Sequence, residues 1–214
     1  MSHSSLTRLA GPLALSAGIL MVSAQLVMLP FDPDAHVATA SAPLFQLGGV
    51  VYMAGFVSLM LFVVASHGWQ EAKSGRLGVV GTLTAAAGTM ALGGDLWFET
   101  FAVPWLAAEA PNALSADPNT LLTFGAITSY LLFAVGWVLY GVASLRARVF
   151  PIAISTTIII AGALGFQALL SPWGVPLGLA VGTLGIWMIR AKNTTNEVGD
   201  TPANESTAVT PKSA

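Results

Sequence analysis

Residues 73–103 read KSGRLGVVGTLTAAAGTMALGGDLWFETFAV, and this stretch decides the fold. Lys73 and Arg76 stand at its start, and no further Lys or Arg follows until Arg146. A helix needs about 20 apolar residues to cover ~30 Å of hydrocarbon. Leu77–Val103 exceeds that length, with Asp95 and Glu99 as its only charges. The stretch therefore predicts a membrane-crossing helix whose basic end lies in the cytoplasm, where short loops rich in Lys and Arg remain.

The same punctuation repeats outward from this span. Arg8 precedes an apolar run at Leu9–Leu29, Arg146 and Arg148 separate Leu121–Leu145 from Phe150–Leu170, and Arg190, Lys192 and Lys212 follow Val175–Arg190. Pro43–Ser66 completes the set. The intervening segments 30–42, 104–120 and 171–174 carry no basic residue. The expectation is an all-α integral membrane six-helix bundle with both termini inside. It comprises a cytoplasmic N-terminus (1–8), a transmembrane domain (9–190) and a disordered cytoplasmic tail (191–214), in the cell membrane. Leu9–Leu29 is longer than the ~7–15-residue apolar core of a signal peptide, so it reads as a retained helix. The sequons at Asn193 and Asn204 fall on the cytoplasmic side of this topology.

Composition excludes other classes. Only 8% of the 214 residues are charged, against 55% hydrophobic. A soluble domain carries about 25% charge, so lipid must cover most of this surface. The basic residues are dispersed and the net charge is −2, which gives no nucleic-acid footprint. The chain has no Cys, hence no disulfide, thiolate metal site or Cys nucleophile. No zincin motif or glycine-rich nucleotide loop appears, and no cofactor is implied.

Three hairpins follow from the connections: helices 1–2, 3–4 and 5–6. Each odd helix begins after Arg and carries Ala-Gly in its middle, at Ala17-Gly18, Ala87-Gly88 and Ala161-Gly162. Tandem duplication and shared composition both account for this. Gly174, Gly178 and Gly182 form a small-residue stripe that lets backbones approach closely, with a partner expected inside the bundle. A homo-oligomer contact is the open alternative.

The polar residues within the spans carry the functional reading. Asp95 and Glu99 lie four apart, hence on one helix face. At 1.5 Å per residue, Asp95 stands ~27 Å and Glu99 ~33 Å above Leu77. Gln25 at ~24 Å and Gln167 at ~26 Å reach a similar level in their helices, and Gln46 lies near the outer end of helix 2. Together Gln25, Gln46, Asp95, Glu99 and Gln167 would line an outward-facing polar pocket that binds or passes a small molecule or ion. Two alternatives remain open: a non-catalytic membrane scaffold in which these groups lock helices together, and a membrane enzyme using Asp95 and Glu99 as an acid–base pair. Asp32, Asp34 and His36 offer too few ligands on one loop to hold a metal ion. Trp97, Phe98, Phe101 and Trp105 read as an interfacial aromatic belt. Asp117 and Pro118 read as N-cap and first residue of helix 4.

Overall fold

The computed structural model describes residues 5–32 and 34–199, and these residues are helical with no strand among them. The helices are α1 (Ser5–Met28), α2 (His36–Ala40), α3 (Pro43–Gln70), α4 (Lys73–Glu109), α5 (Pro111–Leu114), α6 (Thr120–Arg146), α7 (Ile152–Gln167) and α8 (Val175–Gly199). Four of them, α1, α3, α4 and α6, are long and apolar enough to cross a membrane. Their outer faces display large apolar side chains such as Ile19, Leu61, Leu83, Met90 and Phe124. A water-soluble monomer rarely exposes contiguous apolar surface of that extent.

Neighbouring helices alternate in direction. Gly55 meets Met21 and Gly68 meets Thr7, so α3 runs antiparallel to α1. Gly81 meets Leu139 and Gly88 meets Leu132, which sets α4 against α6 in the same way. Gly141 on Ile159 and Gly162 on Trp137 do so for α6 and α7, and Gly11 on Ile189 and Gly18 on Gly182 for α8 and α1. The repeated Ala-Gly steps serve different neighbours: Gly18 faces α8, whereas Gly88 and Gly162 both face α6.

Several boundaries differ from those read in the sequence, each for a local reason. α3 continues past Ser66, and the first non-helical backbone is met only at Gly75, two residues inside the Lys73–Glu109 segment. The reversal into α4 is made at Gly75 (φ 53, ψ −146), a conformation open to glycine at little cost. α4 runs on through a π turn at Phe98–Ala102 to Glu109. Pro104 explains the π turn: it has no N–H for the Thr100 carbonyl and its ring crowds that position, and Val103 N–H bonds back to the Phe98 carbonyl instead. α6 is capped by Asn119, whose side chain accepts from Leu122 N–H at 2.9 Å, so Asp117 and Pro118 stay outside the helix. α7 holds α geometry only from Ile152 to Leu164 and then tightens into a 3-10 turn. α8 extends beyond Arg190 because no Gly or Pro intervenes before Gly199. The rest of the expected tail, 200–214, lies outside the described residues.

The core is an aromatic column between α3 and α6. Tyr52, Phe56, Phe62, Phe133, Trp137 and Tyr140 are all buried. Phe56 stacks on Phe133 at 5.7 Å, and Trp137 lies 5.5 Å from Tyr140. Their polar tips find partners, as buried tips should: Trp137 Nε1 donates to Thr89 Oγ1 and Tyr140 OH to Ser66 Oγ. Toward the basic end, Gln70 Nε2 donates to Ser144 Oγ at 2.8 Å and Thr82 Oγ1 donates to Gln70 Oε1 at 3.3 Å. This network ties α3, α4 and α6 together with its hydrogen bonds made internally.

Candidate functional site

At the end opposite the basic residues, the helices part around a cavity of about 300 Å³. Its walls are mostly apolar and aromatic, including Phe31, Phe45, Leu96 and Tyr130, with Thr100 and Glu99 along one side. Phe31 and Phe45 meet edge to face at 5.4 Å, so the connection after α1 is held against the start of α3.

The rim is built from the outer connections. α2 is a five-residue helix tied through its last two residues to the chain on either side: Thr39 Oγ1 donates to the Asp32 carbonyl at 2.8 Å, and Gln46 Nε2 donates to the Ala40 carbonyl at 2.9 Å. Ala40, Val103 and Ala107 form a small second core with Val37 and Leu114 packed on it. The cap over the cavity is thus an ordered unit of α2, the outer end of α4, and α5. His36 at the start of α2 reaches Glu99 on the π turn, Nε2 to Oε2 at 3.3 Å, with both side chains about half exposed. This contact crosses the mouth of the cavity. Asp32 is engaged elsewhere, accepting from Asp34 N–H at 2.9 Å, and among the described residues no three His, Cys, Asp or Glu side chains gather to hold a metal ion.

Thr100 supplies a buried wall hydroxyl without a partner: its Oγ1 makes no hydrogen bond. It stands opposite Gly49, where a Cβ would lie 3.0 Å from that oxygen. A buried polar atom left unmade costs about 1–3 kcal/mol, so this hydroxyl is poised to bond something that enters the cavity.

The five residues expected to share one pocket are distributed more widely. Glu99 and Gln46 line the cavity, and Gln46 uses its amide to hold α2. Asp95 lies one turn deeper on α4, with Ser129 of α6 as its hydroxyl neighbour and the cavity-lining Tyr130 nearby. Its Oδ2 is buried without a hydrogen bond. Gln25 is fully buried beneath the floor, where its Nε2 donates to the Ala168 carbonyl at 3.2 Å and Tyr52 OH donates to the same oxygen at 2.6 Å. Ser171 Oγ, in the cavity floor, donates to the Gln25 carbonyl at 2.8 Å. Gly174 packs against this knot, and a Cβ there would meet Tyr52 OH. Gly178 and Gly182 lie along α1 instead, against Met21 and Gly18. Gln167 is exposed and away from the cavity, because the 3-10 turn rotates it off the α-helical register.

His36, Thr100 and Tyr130 complete the cavity walls. The sequence puts both His36 and Glu99 toward the outer side, but 63 residues separate them and nothing in either segment pairs them. Comparison with protein families, with characterised proteins and with solved structures finds no match to this chain.

Proposed function

We propose that the chain crosses the membrane six times, with α7 and α8 completing the bundle, and binds a small, largely apolar molecule in a cavity open to the outside. The alternation of α7 and α8 with their neighbours supports the six crossings. The exposure of Arg8, Lys73, Arg76, Arg146, Arg148 and Lys192 at the connections of one end supports a cytoplasmic placement of that end.

The observation that carries the binding reading is the cavity itself. Its aromatic body would hold an apolar ligand, while the unpartnered Thr100 hydroxyl and the His36–Glu99 rim would orient a polar head, the usual division of labour in small-molecule sites. Below it, the aromatic column fills the space between α3 and α6, which favours binding or sensing over passage. Asp95, set beside Ser129, fits a helix-locking role better than a ligand contact.

Two experiments test this reading. The chain has no Cys, so single cysteines report cleanly on sidedness. Ser115→Cys and Trp173→Cys should react with an impermeant maleimide from outside intact cells, and Lys192→Cys only after lysis; protection of Trp173→Cys would reduce the crossings to four. For binding, a neutral polarity-sensitive fluorophore should brighten on the purified protein. Gly49→Leu, which fills the cavity beside Thr100, should abolish that signal without unfolding the chain. Equal brightening with Gly49→Leu would remove the cavity as the site.

A further inference from the structure

The opposite, basic end carries a second recess, of about 440 Å³, between the start of α4 and the end of α6. Lys73, Ser74 and Leu77 form one wall, and Ala143, Arg146 and Ala147 the other. Two cations from different helices therefore border one concavity, and among the described residues no carboxylate lines it. Among the described residues neither Lys73 nor Arg146 makes an ion pair. Ser74 Oγ is turned away to the Gln70 carbonyl at 2.7 Å, leaving the charges of Lys73 and Arg146 as the recess's recognition groups.

We propose that this recess binds the phosphate headgroup of an anionic membrane lipid. The chemistry of the two walls matches a phosphate: Arg presents a planar fork of donors and Lys a mobile point charge. Basic pockets between membrane helices at the cytoplasmic surface are a recurrent setting for anionic headgroups. The surface above the recess supplies the acyl half of the ligand. Past the turn at Gly75, Leu77 and Val80 follow one another at helical spacing on α4, and on α6, Arg146, Val142 and Val135 do the same. Val80, Val142 and Val135 are exposed. A headgroup seated between Lys73 and Arg146 thus has an apolar track on both helices leading toward the bilayer centre. A free phosphate would use the charges and leave that track idle. The inference needs only that α4 and α6 cross the membrane, and it is independent of the outer cavity.

The test is lipid retention by the purified full-length chain, read by native mass spectrometry and by thermal unfolding in a neutral detergent. Phosphatidylglycerol should be retained and should raise the unfolding temperature more than phosphatidylcholine. Lys73→Gln combined with Arg146→Gln should weaken phosphatidylglycerol binding at least tenfold, and Ala147→Glu, which places a carboxylate in the recess wall, should do the same. Arg8→Gln, at the same end but outside the recess, and the charge-preserving pair Lys73→Arg with Arg146→Lys should retain binding within about twofold. The proposal is overturned if phosphatidylcholine binds equally, or if Arg8→Gln loses as much affinity as the double variant. It is also overturned if inorganic phosphate at matched concentration stabilises the protein as well as the lipid does. Should the double variant fail to fold, the wild-type lipid series and Ala147→Glu decide the question.

Discussion

Gly18 and Gly182 meet backbone to backbone, and the contact is asymmetric. A methyl group at Gly18 would lie 2.5 Å from Gly182 Cα and 2.6 Å from the Gly178 carbonyl oxygen, whereas one at Gly182 would find its nearest atom 3.4 Å away. Gly18→Ala must push α1 and α8 apart, at a cost of about 1–3 kcal/mol for overpacking. Gly182→Ala meets ordinary van der Waals contact and gains up to about 1 kcal/mol of helix propensity. Thermal unfolding in detergent should therefore rank Gly182→Ala at or above wild type and Gly18→Ala clearly below it. Equal loss from both would mean that the two helices pack in a different register.

The Gln70 network gives a second graded expectation. Gln70→Leu removes the acceptor for Thr82 Oγ1 and the donor to Ser144 Oγ, both in a buried site. Tyr140→Phe removes the bond to Ser66 Oγ, which still donates to the Val63 carbonyl at 2.9 Å, and leaves both of the Gln70 bonds to Ser144 and Thr82 in place. Interhelical hydrogen bonds in membranes average about 0.6 kcal/mol and reach about 1.7. Tyr140→Phe should fall near the average, and Gln70→Leu should lose roughly twice as much. A reversible unfolding titration of both variants decides it, and the ordering fails if Gln70→Leu is the milder of the two.

These contacts also show what could and could not be read from the chain. The long apolar runs and the placement of Lys and Arg reveal α1, α3, α4 and α6, because length and hydrophobicity are properties of a single segment. The network has no signal in the sequence, because Gln70 lies beyond the apolar stretch that ends at Ser66. No local signal says that a helix persists beyond its apolar stretch until Gly75. Counting 1.5 Å per residue along an unbroken helix brings Gln167 to the level of the pocket, and the 3-10 turn at Gly165–Gln167 invalidates that count. The atom that meets Gln25 and Tyr52 is a backbone carbonyl, Ala168, which has no sequence signature. The His36–Glu99 contact likewise depends on how α2 docks on α4, a tertiary fact that neither segment encodes alone.

Arg148 holds a backbone conformation that favours glycine. With φ at 51°, it ends α6 in the paired turn in which Arg148 N–H bonds to the Leu145 carbonyl and Val149 N–H to the Ser144 carbonyl. This is the Schellman arrangement, whose left-handed position glycine usually fills. A left-handed residue with a Cβ costs about 1–2 kcal/mol. Arg148→Gly should therefore raise stability by about 1 kcal/mol, and Arg148→Val should lower it, since a β-branched side chain is least tolerant of that region. An unfolding temperature that drops for Arg148→Gly would mean that the guanidinium contributes more than the backbone strain removes.

Thr100 separates stability from binding within one side chain. Its hydroxyl is buried without a partner, so Thr100→Val, which preserves shape, should stabilise the fold by about 1 kcal/mol through loss of an unsatisfied group. If that hydroxyl anchors the polar head of a cavity ligand, the same substitution should weaken a ligand whose head hydrogen-bonds there by about 1 kcal/mol, the typical net worth of a hydrogen bond. It should leave a purely apolar probe unaffected. A matched pair of fluorophores, one bearing a carbonyl head and one without, measured on wild type and Thr100→Val, reads both effects together with the unfolding temperature. Rising stability with selective loss of the carbonyl probe is the signature of a binding hydroxyl. Falling stability would show instead that Thr100 supports the π turn through a contact that valine cannot reproduce, and the cavity would then have to orient its ligand through His36 and Glu99 alone.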